Sequence, residues 1–359
     1  LGLPAFGSGN FAIVADLFES AIALNSTVAL YHRNFGEICR RLGRFAEAVD
    51  AGQQACRLEP FDIDAYFNLA LAYTDARRHV DAESTYCRVL ALQDMRWQQG
   101  QGTGALWNRR CMAQHRLQRL DDARESYLRA LELEPRFVIA RNSLGCVLRE
   151  VGLADESLVQ FAQTLQRAPA FADARLNLGM AQLQLGDWEN GWENYEARWI
   201  GSAESNNGTF ARPNCPLPQW GGTGESPAQS LLIFAEQGFG DLFQFARYVN
   251  LAAERFSRVA VVCPHAVTHL LMEWSFGERA LLLKQMPAEF SSWNWQCPMM
   301  SLPRAFCTRP ATVPGGAPYL KAVPLARQVG AGCAAMLHHW RVLASSSHSN
   351  QISLMICSK

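Results

Sequence analysis

FNLALAYTDARRHVDAESTYCRVLAL, residues 67–92, sets small residues at Ala70 and Ala82 and an aromatic at Tyr86 into a helical pattern. The same residue types return at fixed distances. Small residues recur at Gly36, Ala70, Cys111, Gly145 and Gly179, and again at Ala48, Ala82 and Ala123. Aromatics follow at Tyr86, Tyr127, Phe161 and Tyr195. A Glu-Pro or related pair closes each segment at Pro60, Asp94, Pro135 and Pro169, at spacings of 34, 41 and 34. The seven extra residues fall around MRWQQGQ, 95–101, where a loop insertion is expected. The period predicts paired helices. Small residues let the two helices approach, aromatics fill the next gap, and proline ends the second helix. Each pair leaves an apolar face that only a neighbour can cover, so the pairs stack into an α-helical solenoid.

Period and residue types together resemble the tetratricopeptide repeat. The register extends back to Leu1-Gly2, so about six units are expected over residues 1–205, the first incomplete. In such an array the first helix of each unit lines a groove. Asn34, Asn68 and Asn177 occupy equivalent positions there, with Arg109 and Ser143 in the two units between. One reading is a ladder of amides holding an extended peptide or protein segment, since each amide both donates and accepts. The other is that asparagine is simply common at this position of the repeat.

GDWENGWENYEARW, 186–199, reads as the second helix of the last unit, with Trp192, Tyr195, Glu196 and Trp199 on one face. Bulky aromatics there suit docking against a following domain. A sugar-stacking platform is the less favoured alternative. Residues 206–229 have the Gly, Ser, Asn and Pro content of a linker, in which Pro218 and Trp220 are candidate anchors.

LLIFAEQGFGDLFQFARYV, 231–249, then joins a buried-strand pattern through Gly-Phe-Gly-Asp to a helical one, and RVAVVCP with HAVTHLLMEW repeats the cycle. Two strand-helix units predict an α/β domain with a parallel sheet, Rossmann-like, over 230–322. Phe243 stands where a dinucleotide fingerprint needs its third glycine, and no Gly-Lys-Ser/Thr follows for a P-loop. Asp241 and Gln244 have the spacing of a capping box. A general base at Asp241, beside the positive end of its helix, is the alternative.

AEQGFGDLFQFARYV, with GWENYEARW, PLPQWGG, QCPMMSLPRAF and PYL in that order, resembles bacterial tetratricopeptide-repeat glycosyltransferases, relatives of O-GlcNAc transferase and heptosyltransferases. The resemblance covers roughly residues 1–322. It implies the N-terminal half of a GT-B fold and transfer of a sugar from a nucleotide-sugar donor to a protein or glycan acceptor. Asp241 would then be the base and Gly238 and Gly240 would shape the loop. Glu236, Gln237, Gln244 and Arg247 would complete a substrate-binding loop. The second GT-B domain, which holds most donor contacts in that family, has no counterpart in the 39 residues after Leu320. The activity is therefore expected to be incomplete, and a non-catalytic repeat scaffold for protein–protein interaction is the alternative.

Composition bounds these readings. Net charge is zero, which argues against nucleic acid and anionic membranes. The first 289 residues carry 27 basic against 33 acidic residues, and the last 70 carry six basic and no acidic ones. Together with its lack of strand-helix alternation, this suggests that 323–359 is a frameshifted or truncated continuation. A native divergent tail is the alternative. Eleven scattered cysteines, with no CxxC pair, fit a reducing, cytoplasmic setting better than disulfides or a zinc site. Neither a transmembrane segment, a leader, a metal nor a cofactor is expected, and His265 and His269 read as ordinary residues.

Overall fold

The computed structural model describes residues 11–98, 104–200, 212–224, 228–236, 238–263 and 280–315. Gln237, His265, His269 and the tail at 323–359 lie outside the described residues. Packing groups the chain into two compact units. One holds the helices up to Leu178; the other joins Gly179–Trp199 to the segments after residue 210.

The helices come in pairs. α1 (Phe11–Leu24) precedes α2 (Ala29–Arg41) with α3 (Phe45–Leu58), α4 (Ile63–Asp75) with α5 (His79–Gln98), α6 (Gly104–Arg116) with α7 (Leu120–Leu133), and α8 (Val138–Glu150) with α9 (Ala154–Arg167). α10 (Ala172–Leu185) and α11 (Trp188–Tyr195) form the last pair. The solenoid follows from what stands at the helix crossings. Ala70 and Cys111 are fully buried. A side chain on Gly145 would meet the ring of Phe161 at 2.5 Å. At Gly179 the close neighbour is backbone: a Cβ would lie 2.8 Å from both the Gly191 oxygen and the Tyr195 nitrogen. One column of small residues thus makes room for a ring in one pair and for the main chain of the partner helix in another.

Of the loop expected at 95–101, residues 95–98 are helical, and 99–101 lie outside the described residues. α3, α7 and α9 stop two residues before Pro60, Pro135 and Pro169. At the equivalent place α5 has Asp94, which keeps its N–H, so the helix runs on to Gln98.

Past the first helix of each pair the chain turns through a left-handed residue: Gly43 (φ 75°), Arg77 (57°), Gln118 (58°), Gly152 (87°) and Gly186 (89°). Two of the five are not glycine.

In the second unit four short strands form one parallel sheet: β1 (Ser230–Phe234), β2 (Arg258–Val262), β3 (Ala280–Leu283) and β4 (Trp295–Pro298), in the order β3-β2-β1-β4. Leu232 pairs with Ala260 on one side and Gln296 on the other. The predicted parallel sheet is present, and β1 is buried along its whole length. The helix read after β1 is two helices, α12 (Phe239–Phe245) and α13 (Tyr248–Arg255). Leu242, Phe245, Ala246, Val249 and Ala253 are all buried, as their spacing predicts. The linker docks on this sheet. Trp220 donates its main-chain N–H to the Gln296 main-chain oxygen at 2.8 Å, and its fully buried ring meets Phe256 and Phe306 edge-on.

Two outcomes follow from the helix crossings and turns. An ordinary residue in left-handed backbone costs about 1–2 kcal/mol, and glycine's extra chain entropy offsets part of that. Arg77→Gly and Gln118→Gly should therefore each raise stability by up to about 1 kcal/mol in urea unfolding. Gly179→Ala should lower it by about 1–3 kcal/mol, because its neighbours are backbone atoms that cannot swing aside.

Candidate functional site

The five ladder positions fall at the same place on the first helix of each pair, and all five are partly exposed. Their hydrogen bonding differs. Neither Asn34 nor Asn68 has a side-chain partner among the described residues. Asn177 donates from Nδ2 to the Asn142 carbonyl at 3.2 Å. Arg109 pairs through Nε with Asp64 at 3.0 Å.

That ion pair belongs to a line of charge the sequence reading missed. Arg33 of α2 reaches Asp62 at 2.8 Å and lies 3.8 Å from Asp64 of α4, which in turn meets Arg109 of α6. Asp62 also caps α4, its Oδ1 accepting from the Asp64 N–H at 2.8 Å. The line thus crosses three successive first helices beside the free amides of Asn34 and Asn68. A second cluster, Glu37, Arg40, Arg41 and Asp75, ties α2 to α4. Arg33 and Asp64 stand next to or near ladder positions in sequence, which is the signal that could have flagged them.

The second candidate lies at the carboxyl ends of β1 and β4. Because β1 is flanked by β2 and β4, the strand order reverses there, and an open parallel sheet leaves a crevice at such a point. Glu236, two residues past β1, accepts from the Met300 N–H, two residues past β4, at 3.0 Å. Arg198 forks onto the same carboxylate with two bonds of 2.9 Å. Its remaining donors reach Glu196 at 2.8 Å and the Ser301 hydroxyl at 2.7 Å. Arg198 and Glu236 side chains are each only 5% exposed. The chain's own guanidinium therefore fills the end of the sheet. Burial pushes the Glu236 carboxyl above its usual range, against the pull of Arg198. For Glu196 burial also opposes the charge, but Arg198, Ser301 and Gln219 outweigh it and hold the carboxyl low.

The aromatic face of 186–199 docks on the sheet side of this unit, as expected. Trp192 meets Phe245 edge-on at 5.9 Å, and Trp199 meets Phe234 at 6.5 Å. Arg304 and Arg309 pair with Glu193 and Glu189 of α11.

The remaining loop residues sit nearby. Gly238, not Asp241, is the N-cap of α12; Asp241 is its third residue and accepts from the Gly238 N–H at 3.3 Å. Of the capping box expected for Asp241 and Gln244, only the reaching-back half forms, one turn earlier, from Asp241 to Gly238, which has no side chain to complete it. Asp241 is 3% exposed. Gln244 is buried with no hydrogen-bond partner for either amide atom. Arg247 donates to the Gln244 main-chain oxygen at 2.9 Å. Gly240 has open space around its Cβ position. Among the described residues no cluster of His, Cys, Asp and Glu could hold a metal, and no helix is long and apolar enough to cross a membrane.

Removing one partner of a buried ion pair strands the other charge. Arg198→Met should cost about 3–5 kcal/mol in denaturant unfolding, and pairing it with Glu236→Leu should recover part of that loss, Glu196 still lacking its cation.

Models of the tetratricopeptide repeat match residues 36–75, 104–137 and 143–205. Among curated proteins the chain is similar to protein O-mannosyl-transferase Tmtc3 of Drosophila melanogaster, 32% identical over 21% of this chain and 8% of that one. It is also similar to protein FlbA of Caulobacter vibrioides, 29% identical over 39% of this chain and 29% of that one. The chain spans under a third of either relative's length. Among solved structures it is similar to TTC0263, a tetratricopeptide-repeat protein of Thermus thermophilus, at 24% identity and TM-score 0.45, covering 51% of this chain and 96% of that one. A tetratricopeptide-repeat protein of Parabacteroides merdae is 13% identical at TM-score 0.47, covering 58% and 79%. With paired helices at the repeat period and three matching segments, the helical part of this chain is an array of tetratricopeptide repeats.

Proposed function

We propose that the chain is a protein-interaction scaffold whose repeats hold an extended segment of a protein partner along the first helices. The observation that carries this reading is the pair of unengaged amides at Asn34 and Asn68, at equivalent places on successive units beside the Arg33–Asp64–Arg109 line. An amide with both donor and acceptor free suits a peptide backbone, and the alternating charges beside it favour a segment that also carries both signs.

A second reading, sugar transfer from a nucleotide-sugar donor with Asp241 as base, has the strand order and the glycine turn after β1 in its favour. Against it stand the Asp241 carboxylate bonded to its own helix start and the Glu236 carboxylate taken up by Arg198. The scaffold reading accounts for more of the geometry.

Peptides selected from a random display library on the purified chain supply the test. Asn34→Ala with Asn68→Ala should weaken the selected peptides about tenfold while leaving the unfolding midpoint in place, since neither amide bonds a side chain or backbone group among the described residues. Selected peptides indifferent to both substitutions would contradict the proposal.

A further inference from the structure

The seven-residue insertion has a consequence beyond a longer helix. Where α5 and α6 run side by side past the insertion, Gln93, Asp94, Leu106, Trp107 and Arg110 line a cavity of about 220 Å³. Gln93 is 2% exposed, and its Nε2 donates to the Leu106 main-chain oxygen at 3.3 Å. That bond fixes the amide, yet its Oε1 is buried without a donor. Asp94 and Arg110 pair with each other at 2.6 Å at the more exposed side, so the cavity carries no net charge.

We propose that this cavity is a binding site for an uncharged aromatic ring bearing a single N–H or O–H donor, a phenol or an indole. The volume exceeds the roughly 150 Å³ of an apolar cavity that takes benzene and falls below the about 300 Å³ at which sites for larger ligands begin. Leu106 and the Trp107 ring supply apolar and aromatic walls, against which a ring packs better than an aliphatic chain. Gln93 Oε1 accepts the donor, and a buried carbonyl that gains a partner recovers the solvation it lost on folding. The neutral ion pair beside it selects against a charged ligand. Such a ring could arrive free or as a Tyr or Trp side chain of a partner. The ladder residue Arg109 does not line the cavity, so this site stands apart from the peptide-holding proposal.

Ligand-observed NMR titration of the full chain with phenol, indole and toluene tests the assignment. Phenol and indole should saturate, with toluene, which has no donor, about tenfold weaker, the effect of one hydrogen bond. Gln93→Leu should abolish the preference for phenol over toluene while circular dichroism shows the helices intact. Leu106→Phe, which fills the cavity and keeps the acceptor, should block all three ligands; it serves as the second variant if Gln93→Leu does not fold. N-acetyltyrosinamide binding as tightly as phenol would assign the ring to a partner's side chain, and its exclusion would assign a free small molecule. Equal affinity for phenol and toluene, or saturation unaffected by either variant, would overturn the proposal.

Discussion

An array of helix pairs always ends on a face built to be covered, and that constraint organises this chain. Within the array each face is covered by the next pair. Gly145 and Gly179 show how close the pairing is, since neither has room for a single added carbon. Among the described residues no further pair follows α11. The face is covered instead by Phe245, Met300 and Phe234 of the same compact unit, and the guanidinium of Arg198 closes the joint. Burying that charge is tolerable only because every donor finds an acceptor and the rings of Tyr195 and Trp199 lie beneath it.

The repeats were legible because their information is local and periodic. A small residue recurring at 34 positions, with one step of 41, an aromatic four after the second small one and a closing proline in three of four units need no tertiary knowledge. The helical stretch 95–98 was missed for the same reason: a count of seven extra residues suggested a loop from Met95, whereas the missing proline at Asp94 lets α5 run on to Gln98. The parallel sheet was legible from β1 and β2, whose apolar runs are continuous. β3, four residues of ALLL, and β4, WQCP, were not read as strands, because such short runs carry no period of their own.

The candidate sites divide along the same line. Ladder positions came from the period, and the five residues lie on the first helix of successive pairs. The charges linking them did not, since Arg33, Asp64 and Arg109 come from three units and meet only in three dimensions. Glu236 and Asp241 were singled out as chemistry, and their surroundings give each a structural occupation: one binds Arg198 and the Met300 amide, the other the start of α12. Nothing in YEARW marks Arg198 as the residue that would fill the end of the sheet. The end that open parallel sheets commonly give to a ligand is here spent on joining a helix of the array to the sheet.

Hydrogen exchange along the full chain tests that joint most directly. The account predicts that the amides of 188–199 are protected to the same degree as β1 and β4 and open together with them as urea is raised toward the transition. Residues 188–199 opening instead with α9, at urea concentrations where β1 and β4 stay protected, would contradict it.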